Sequence, residues 1–179
     1  MVDPIATRRL GFRCVFVALC AFIIFLKMLP LSTIPRTVPG PDLLFCLTAV
    51  WIMRRPRWAP VGLIVLVHLV ADILFLRPLG LWPAISLLGY EYLRGKAGGS
   101  TEISVPLEIG MASATFAVIV AVNTVLQLMV GIGQPNMSTL LLHIITTVIA
   151  YPFVVAFSHY LIRVRRARPS DLDSSGVAI

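Results

Sequence analysis

Residues 41–58 read PDLLFCLTAVWIMRRPRW, an apolar run with a carboxylate before it and a basic, proline-containing cluster after it. The run predicts a helix of about 18 Å, shorter than the roughly 30 Å hydrocarbon core of a bilayer. A re-entrant segment would return Arg54, Arg55 and Arg57 to the outer side, whereas a full span places them in the cytoplasm, where membrane proteins concentrate basic residues. We therefore predict a full span, and this choice fixes the topology of the rest.

The composition indicates a membrane protein. Of 179 residues, 58% are hydrophobic and only 13% are charged, and the mean hydropathy is +0.93. So little polar surface cannot cover a soluble globule. We predict one transmembrane domain over 1–168 and a flexible cytoplasmic tail over 169–179. The net charge of +7 comes from clusters at the ends of apolar segments, which are topology signals and disfavour nucleic-acid binding.

Outward from this run, the hydropathy predicts five more short helices, so the expected fold is an all-α bundle of six transmembrane helices. The arginines at the start of the chain resemble a secretion signal, but 29–32 lack a cleavage motif, so we expect a retained helix. Pro83 is expected to interrupt helix four. The proline-rich connector 30–41 predicts a turn, and 94–105 a polar loop. The five further helices are expected at 10–29, 59–76, 81–93, 106–130 and 137–162.

The positions of the basic residues test this topology. With both termini in the cytoplasm, 12 of the 15 basic residues lie on the cytoplasmic side, and only Lys27, Arg36 and Arg77 lie outside. This asymmetry follows the positive-inside rule. Lys27 is expected to extend from the outer end of helix one toward the interface.

Two acids stand at predicted helix starts. Asp42 follows Pro41 before helix two, and Glu108 lies in the first turn of helix five. A carboxylate in this position accepts backbone N–H groups and favours the positive end of the helix dipole. We expect both acids to act locally.

Asp72 is the most informative polar residue within the predicted spans. A carboxylate in hydrocarbon costs roughly 2.5–3.5 kcal/mol, so it should face protein or a hydrated cavity. His68 lies one helical turn earlier on the same face, which predicts a hydrogen bond or ion pair between them. Two interpretations stay open: a polar contact that orders helix packing, which we favour because no second carboxylate completes a pathway, and a proton or ion relay.

Polar residues also form stripes near the predicted outer ends of helices five and six. Asn123 and Gln127 are spaced i, i+4, while His143 enters helix six ahead of Thr146 and Thr147. We favour interhelical hydrogen bonding, worth roughly 0.6–2 kcal/mol per contact. The alternative is an outward-facing cavity for a ligand.

Enzyme chemistry is weakly represented. The sequence has no GxSxG, HExxH or phosphate-loop motif. Cys14, Cys20 and Cys46 lie in apolar stretches without CxxC spacing, so we expect no metal, no disulfide and no cofactor. Ser86 with His143 would formally make a protease pair, but two polar residues on different helices arise by chance in most such proteins. We predict a non-enzymatic protein.

Between residues 41 and 93, about a third of the chain, a set of features occurs in a fixed order. Their order and spacing, together with the six-span hydropathy, resemble the family of the rod shape-determining protein MreD. His68, where a small residue is usual, and Pro83 depart from that pattern. The features are Pro41-Asp42 with Trp51 in the following apolar run, Arg55-Pro56-Arg57, Gly62, and Asp72 followed by Leu79-Gly80.

The resemblance implies a subunit of the bacterial elongation machinery in the inner membrane. Members of the family act with the periplasmic scaffold MreC, the actin-like MreB, and the glycosyltransferase and transpeptidase that build lateral peptidoglycan. Their fold is similar to that of the substrate-binding subunits of energy-coupling-factor vitamin transporters. We expect the chain to contact membrane lipid and no nucleic acid. Structural or partner-binding roles are expected for Pro41, Asp42, His68, Asp72, Gly80, Asn123, Gln127 and His143.

The similarity of fold also supplies an alternative function, that of a vitamin-binding transporter subunit whose outer polar residues line the pocket. Two features argue against it. Helix one lacks the small-xxx-small pattern by which such subunits dock to their transporter, and the predicted outer loops are too short for a generous lid.

Overall fold

The computed structural model describes residues 4–29, 39–56, 58–97, 104–131, 133 and 136–160, with side chains from Leu10 onward. All regular structure in these ranges is helical, so the prediction of an all-helical chain is confirmed for the described residues. The six helices are α1 (Pro4–Met28), α2 (Leu43–Arg54), α3 (Val61–Leu74), α4 (Leu81–Ala97), α5 (Val105–Met129) and α6 (Met137–Tyr160).

Several sequence-based predictions concern residues outside the described ranges. They include most of the proline-rich connector (30–38), Arg57 in the basic turn, part of the polar loop (98–103), and the basic cluster and tail beyond Tyr160.

Helix α2 forms the centre of the bundle. Its residues 44–54 are all buried, and it packs against α4 and α6 and also against α1 and α5. The reason lies in its sequence, because a helix that is apolar on every side has no face suited to water. Aromatic rings lock it in place: the Phe45 ring lies 4.7 Å from that of Phe116, and the Trp51 ring 5.2 Å from that of Phe16.

Helix α4 differs from the sequence-based prediction both in the position of its proline and in its length. Pro83 does not interrupt the helix but is its third residue, and the helix continues to Ala97 rather than to 93. The N–H groups of a first helical turn have no intrahelical acceptor, so proline is tolerated there. The prediction of a broken, shorter helix was wrong because it placed Pro83 in the helix interior.

The outer surface of the bundle is apolar. Large apolar side chains stand exposed on α1, α3, α4, α5 and α6, among them Phe22, Val118 and Phe153. Three described segments are long and apolar enough to cross a membrane: Leu10–Met28, Val105–Met129 and Met137–Tyr160. Such a surface is compatible with lipid as the solvent.

Candidate functional site

The two ends of α2 carry the polar clusters of the bundle, which we call the Asp42 end and the Arg54 end. At the Asp42 end, Asp42 is buried and caps the helix, since its Oδ1 accepts the N–H of Phe45 at 3.2 Å. The same oxygen lies 3.6 Å from Lys27 Nζ of α1. The backbone N–H of Asp42 donates to Thr147 Oγ1 of α6 at 3.0 Å. Asp42 therefore caps α2 and connects it to α1 and α6.

His143 fastens α6 to the segment that leads into α2. Its Nδ1 lies 3.0 Å from the carbonyl oxygen of Gly40. Because a carbonyl only accepts, Nδ1 is the protonated ring nitrogen and donates this hydrogen bond. The Thr146 hydroxyl donates to the carbonyl of Pro39 at 3.3 Å. The ring of His143 meets that of Phe116 of α5 edge to face, at 5.5 Å between centroids. The polar residues of α6 thus make interhelical contacts.

A cavity of about 210 Å³ opens at the Asp42 end, between the α3–α4 turn and the ends of α5 and α6. We call it the Asp42 cavity. It brings together four residues that the sequence singled out on three different segments. His143 and the threonines make the expected contacts between segments, and a cavity is also present, but whether it takes a ligand stays a prediction. Its polar lining includes Asp42, Arg77, Asn123, Gln127 and His143, and its apolar wall includes Trp82.

Asp72 and Gly80 lie apart from this lining and together shape the α3–α4 turn. Asp72 is buried, and its Oδ2 accepts the backbone N–H of Gly80 at 3.2 Å. The backbone carbonyl of Asp72 accepts the N–H of Arg77 at 3.0 Å. Gly80 has a φ of +82°, a conformation that a residue with a side chain adopts only with strain. The eight-residue spacing between Asp72 and Gly80 is thus the length of the α3–α4 turn, which the Asp72 carboxylate closes.

His68 does not pair with Asp72, so that prediction was wrong. Its Nδ1 lies 2.9 Å from the carbonyl oxygen of Ile64, and its Nε2 lies 3.0 Å from the hydroxyl of Tyr90 on α4. Side chains on a helix lean toward its N-terminus, which carries the imidazole back toward Ile64 and away from Asp72. His68 therefore links α3 to α4.

The Arg54 end holds an ion pair that the sequence reasoning missed. Glu108 is fully buried, and its Oε1 lies 3.3 Å from Arg54 Nε, itself on a buried side chain. The Tyr151 hydroxyl also donates to that oxygen, at 3.5 Å. We had expected Glu108 to act on its own helix and Arg54 to mark topology. A signal was available, because both charges were predicted at the same membrane face and at the ends of almost wholly apolar helices.

Arg94 closes the α2–α3 turn at the Arg54 end. Its guanidinium donates from Nη1 to the carbonyl of Pro56 and from Nη2 to that of Ala59, each at 2.9 Å. Its Nε donates to Glu91 at 3.0 Å. The guanidinium holds its five donors in a rigid fork, so two of them reach the carbonyls while a third reaches Glu91. The sequence placed residue 94 at the start of a polar loop. In the structure Arg94 lies within α4, and its side chain fixes the α2–α3 turn.

The described residues include no cluster of three or more His, Cys, Asp or Glu side chains able to hold a metal ion. Ser86 is buried with its hydroxyl unpaired, and so forms no hydrogen bond to His143. The three cysteines are free, with Cys20 and Cys46 buried and Cys14 exposed.

Compared with known proteins, the chain matches no family model, no curated protein and no solved structure. Its function is therefore inferred from its residues and their geometry.

Proposed function

We propose that this chain is a non-enzymatic scaffold subunit of the bacterial elongation machinery, crossing the inner membrane six times with both termini in the cytoplasm. The likeness of residues 41–93 to the MreD pattern supports this function. Its partners would be MreC, MreB, and the glycosyltransferase and transpeptidase of lateral peptidoglycan synthesis. Its role would be to hold these partners together.

One observation carries the proposal: the polar residues of the MreD-like pattern fix the chain's own turns and helix ends. Asp42 caps α2 and pairs with Lys27. Asp72 binds the N–H of Gly80, and Pro56 accepts from Arg94. A transported ion or proton needs acids that face an open path, whereas a scaffold needs a body with fixed helix positions. Asp42 also lines the Asp42 cavity, but its carboxylate is engaged by Lys27 and by the N–H of Phe45, and Asp72 does not line it. This structural use of both acids favours the scaffold.

Six spans require that the three shorter helices also cross. With 12, 14 and 17 residues, α2, α3 and α4 rise by about 18, 21 and 26 Å, short of the roughly 30 Å core. Short helices are tolerated where neighbouring protein shields their ends. The burial of α2 within the bundle supports its crossing despite its length.

The Asp42 cavity favours the second candidate, a vitamin-binding transporter subunit, because it is lined by the outer polar residues. Its size argues the other way. Sites for small organic ligands usually measure roughly 300–1,000 Å³, whereas this cavity measures about 210 Å³. A vitamin would fit only after the bundle opened, so the scaffold remains the better proposal.

Depletion of the protein in its rod-shaped host tests the proposal. Cells lacking the scaffold should become wide or round, because lateral wall synthesis would lose its organisation, and no vitamin should restore their growth. A matched culture that expresses the chain from a plasmid controls for the depletion. Retained rod shape together with growth rescued by a vitamin would overturn the scaffold and favour the transporter subunit.

A further inference from the structure

Arg13 is a cation of α1 that forms no ion pair with a carboxylate of the described residues. It is the fourth residue of the apolar segment Leu10–Met28, which is long enough to cross a membrane, so it stands where the hydrocarbon of a bilayer would give way to headgroups. Its side chain is half-buried, and its Nε is shielded from water without a hydrogen-bond partner. An unpaired donor of a charged group costs free energy, so this position favours an anionic acceptor.

Aromatic rings hold α1 in place around Arg13. The ring of Phe12 stacks on that of Trp58 with 3.7 Å between centroids. One turn later, the ring of Phe16 packs against that of Trp51 at 5.2 Å. Tryptophan gathers at membrane–water interfaces because its ring is apolar and its N–H is polar. The ring contacts therefore fix α1 with Arg13 at the depth of the headgroups.

The Arg54 end, where Arg13 lies, is rich in positive charge. Three chain segments enter or leave helices at this end, 1–13, 54–60 and 91–108, and by sequence they contain eight basic and four acidic residues. Even if each of these acids pairs with a base, as Glu91 and Glu108 do, four cations remain. This end of the bundle therefore attracts anions.

The exposed face of α1 next to Arg13 suits an acyl chain. Phe16 is buried, whereas Leu10 and Val17, about one helical turn to either side of Arg13, are exposed. Arg13 thus stands at the border between the packed and the exposed faces of the helix. A lipid at this border can place its headgroup against the guanidinium and an acyl chain along Val17.

We propose that Arg13 binds the phosphate of an anionic phospholipid headgroup at the Arg54 end of α1, beside the stacked rings of Phe12 and Trp58. Guanidinium binds phosphate through two parallel hydrogen bonds, which gives direction as well as charge. A soluble phosphate would leave the apolar face around Val17 uncovered, so the lipid is the source that fits both parts of the site. The proposal goes beyond the scaffold function and does not depend on it.

The test uses the full chain in nanodiscs with equal parts of phosphatidylglycerol and phosphatidylcholine, of which only the first has a net charge. Native mass spectrometry of the released protein should show phosphatidylglycerol enriched. Arg13→Gln should lower this enrichment about fivefold, as expected for one cation near an anionic surface, and Arg13→Lys, which keeps the charge but not the fork, should lower it less. The matched control is Lys96→Gln, which removes an exposed cation from the same end. It should lower the enrichment less than about twofold, because salt screens an exposed charge.

Equal losses in Arg13→Gln and Lys96→Gln would show a general attraction by the positive end and overturn the site. Inorganic phosphate, titrated calorimetrically into the chain in lipid-free detergent, should show no binding that depends on Arg13, and such binding would overturn the lipid as the source. Size-exclusion profile and helicity show whether the variants fold. A further measurement needs no variant: phosphatidylglycerol with a photoactivatable acyl chain should label residues 10–17 of the unmodified chain. Labelling confined to other helices would overturn the proposal.

Discussion

Asp42 and Arg54 stand at opposite ends of one buried helix, and a different neighbour pairs with each. Lys27 of α1 meets Asp42, and Glu108 of α5 meets Arg54. An unpaired charge in a low-dielectric interior costs several kcal/mol, so each pair penalises any shift of α2 away from its partner. The two pairs therefore fix the position of the central helix at both ends.

The pair at the Arg54 end should show strong coupling. Replacing Glu108 by Leu leaves Arg54 buried without this carboxylate, and we expect a loss of about 3–5 kcal/mol in the free energy of unfolding. Arg54→Leu should also destabilise, and the double variant should lose clearly less than the two single losses together. Unfolding in mixed detergent micelles measures this cycle. Glu91→Gln, which removes a more exposed partner of Arg94, is the control and should cost at most about 1 kcal/mol. Additive losses would contradict the coupling.

Substitutions of Asp72 distinguish a structural role of this carboxylate from a role in a proton relay. Asp72→Asn keeps an oxygen that can accept the N–H of Gly80 but removes the titratable proton, whereas Asp72→Leu removes the acceptor and leaves that N–H unpaired, at a cost of about 1–3 kcal/mol. We expect the Asn variant to maintain cell shape and the Leu variant to lose it. Shape and protein level are measured together. A proton relay would instead make Asn as damaging as Leu although the protein still accumulated.

At the scale of the helix, the sequence predicted the existence and the order of all six elements but not their ends. Apolar periodicity fixes where a helix lies, while its last residues depend on tertiary contacts. Arg94 extends α4 beyond the predicted end because its guanidinium finds two carbonyls in the α2–α3 turn, and no local pattern announces such a contact. Two side-chain partners escaped prediction for the same reason, since each lies on another helix: Arg54 for Glu108 and Tyr90 for His68.

The short helices make topology the decisive measurement at this scale. If α2, α3 and α4 all cross the membrane, a reporter fused after Lys96 and one fused at the C-terminus should both read cytoplasmic, and one at Gly133 should read periplasmic. Under that topology the Arg54 end would face the cytoplasm and the Asp42 end the periplasm. An outside signal at Lys96 would mean that one of the short helices does not cross.

For the molecule as a whole, an apolar exterior surrounds a core helix with charged residues at its ends. Composition and apolar patterning were enough to predict the helical class, because the class depends on sums over many residues. The three helices that are long and apolar enough to cross a membrane are compatible with the predicted environment. The Asp42 cavity was predicted only as an alternative, since its existence depends on how the α3–α4 turn, α5 and α6 are positioned relative to one another along the bundle. Arg77, which lines the cavity, was noted only as a basic residue on the predicted outer side.

The scaffold function is tested most directly by purifying the tagged chain from its own membranes in mild detergent and identifying the proteins that accompany it by mass spectrometry. We expect MreC and the enzymes of lateral wall synthesis, in amounts that fall for Asp72→Leu and persist for Asp72→Asn. An unrelated six-helix membrane protein with the same tag controls for adventitious capture. Recovery of an energy-coupling transport module in place of MreC would contradict the scaffold function.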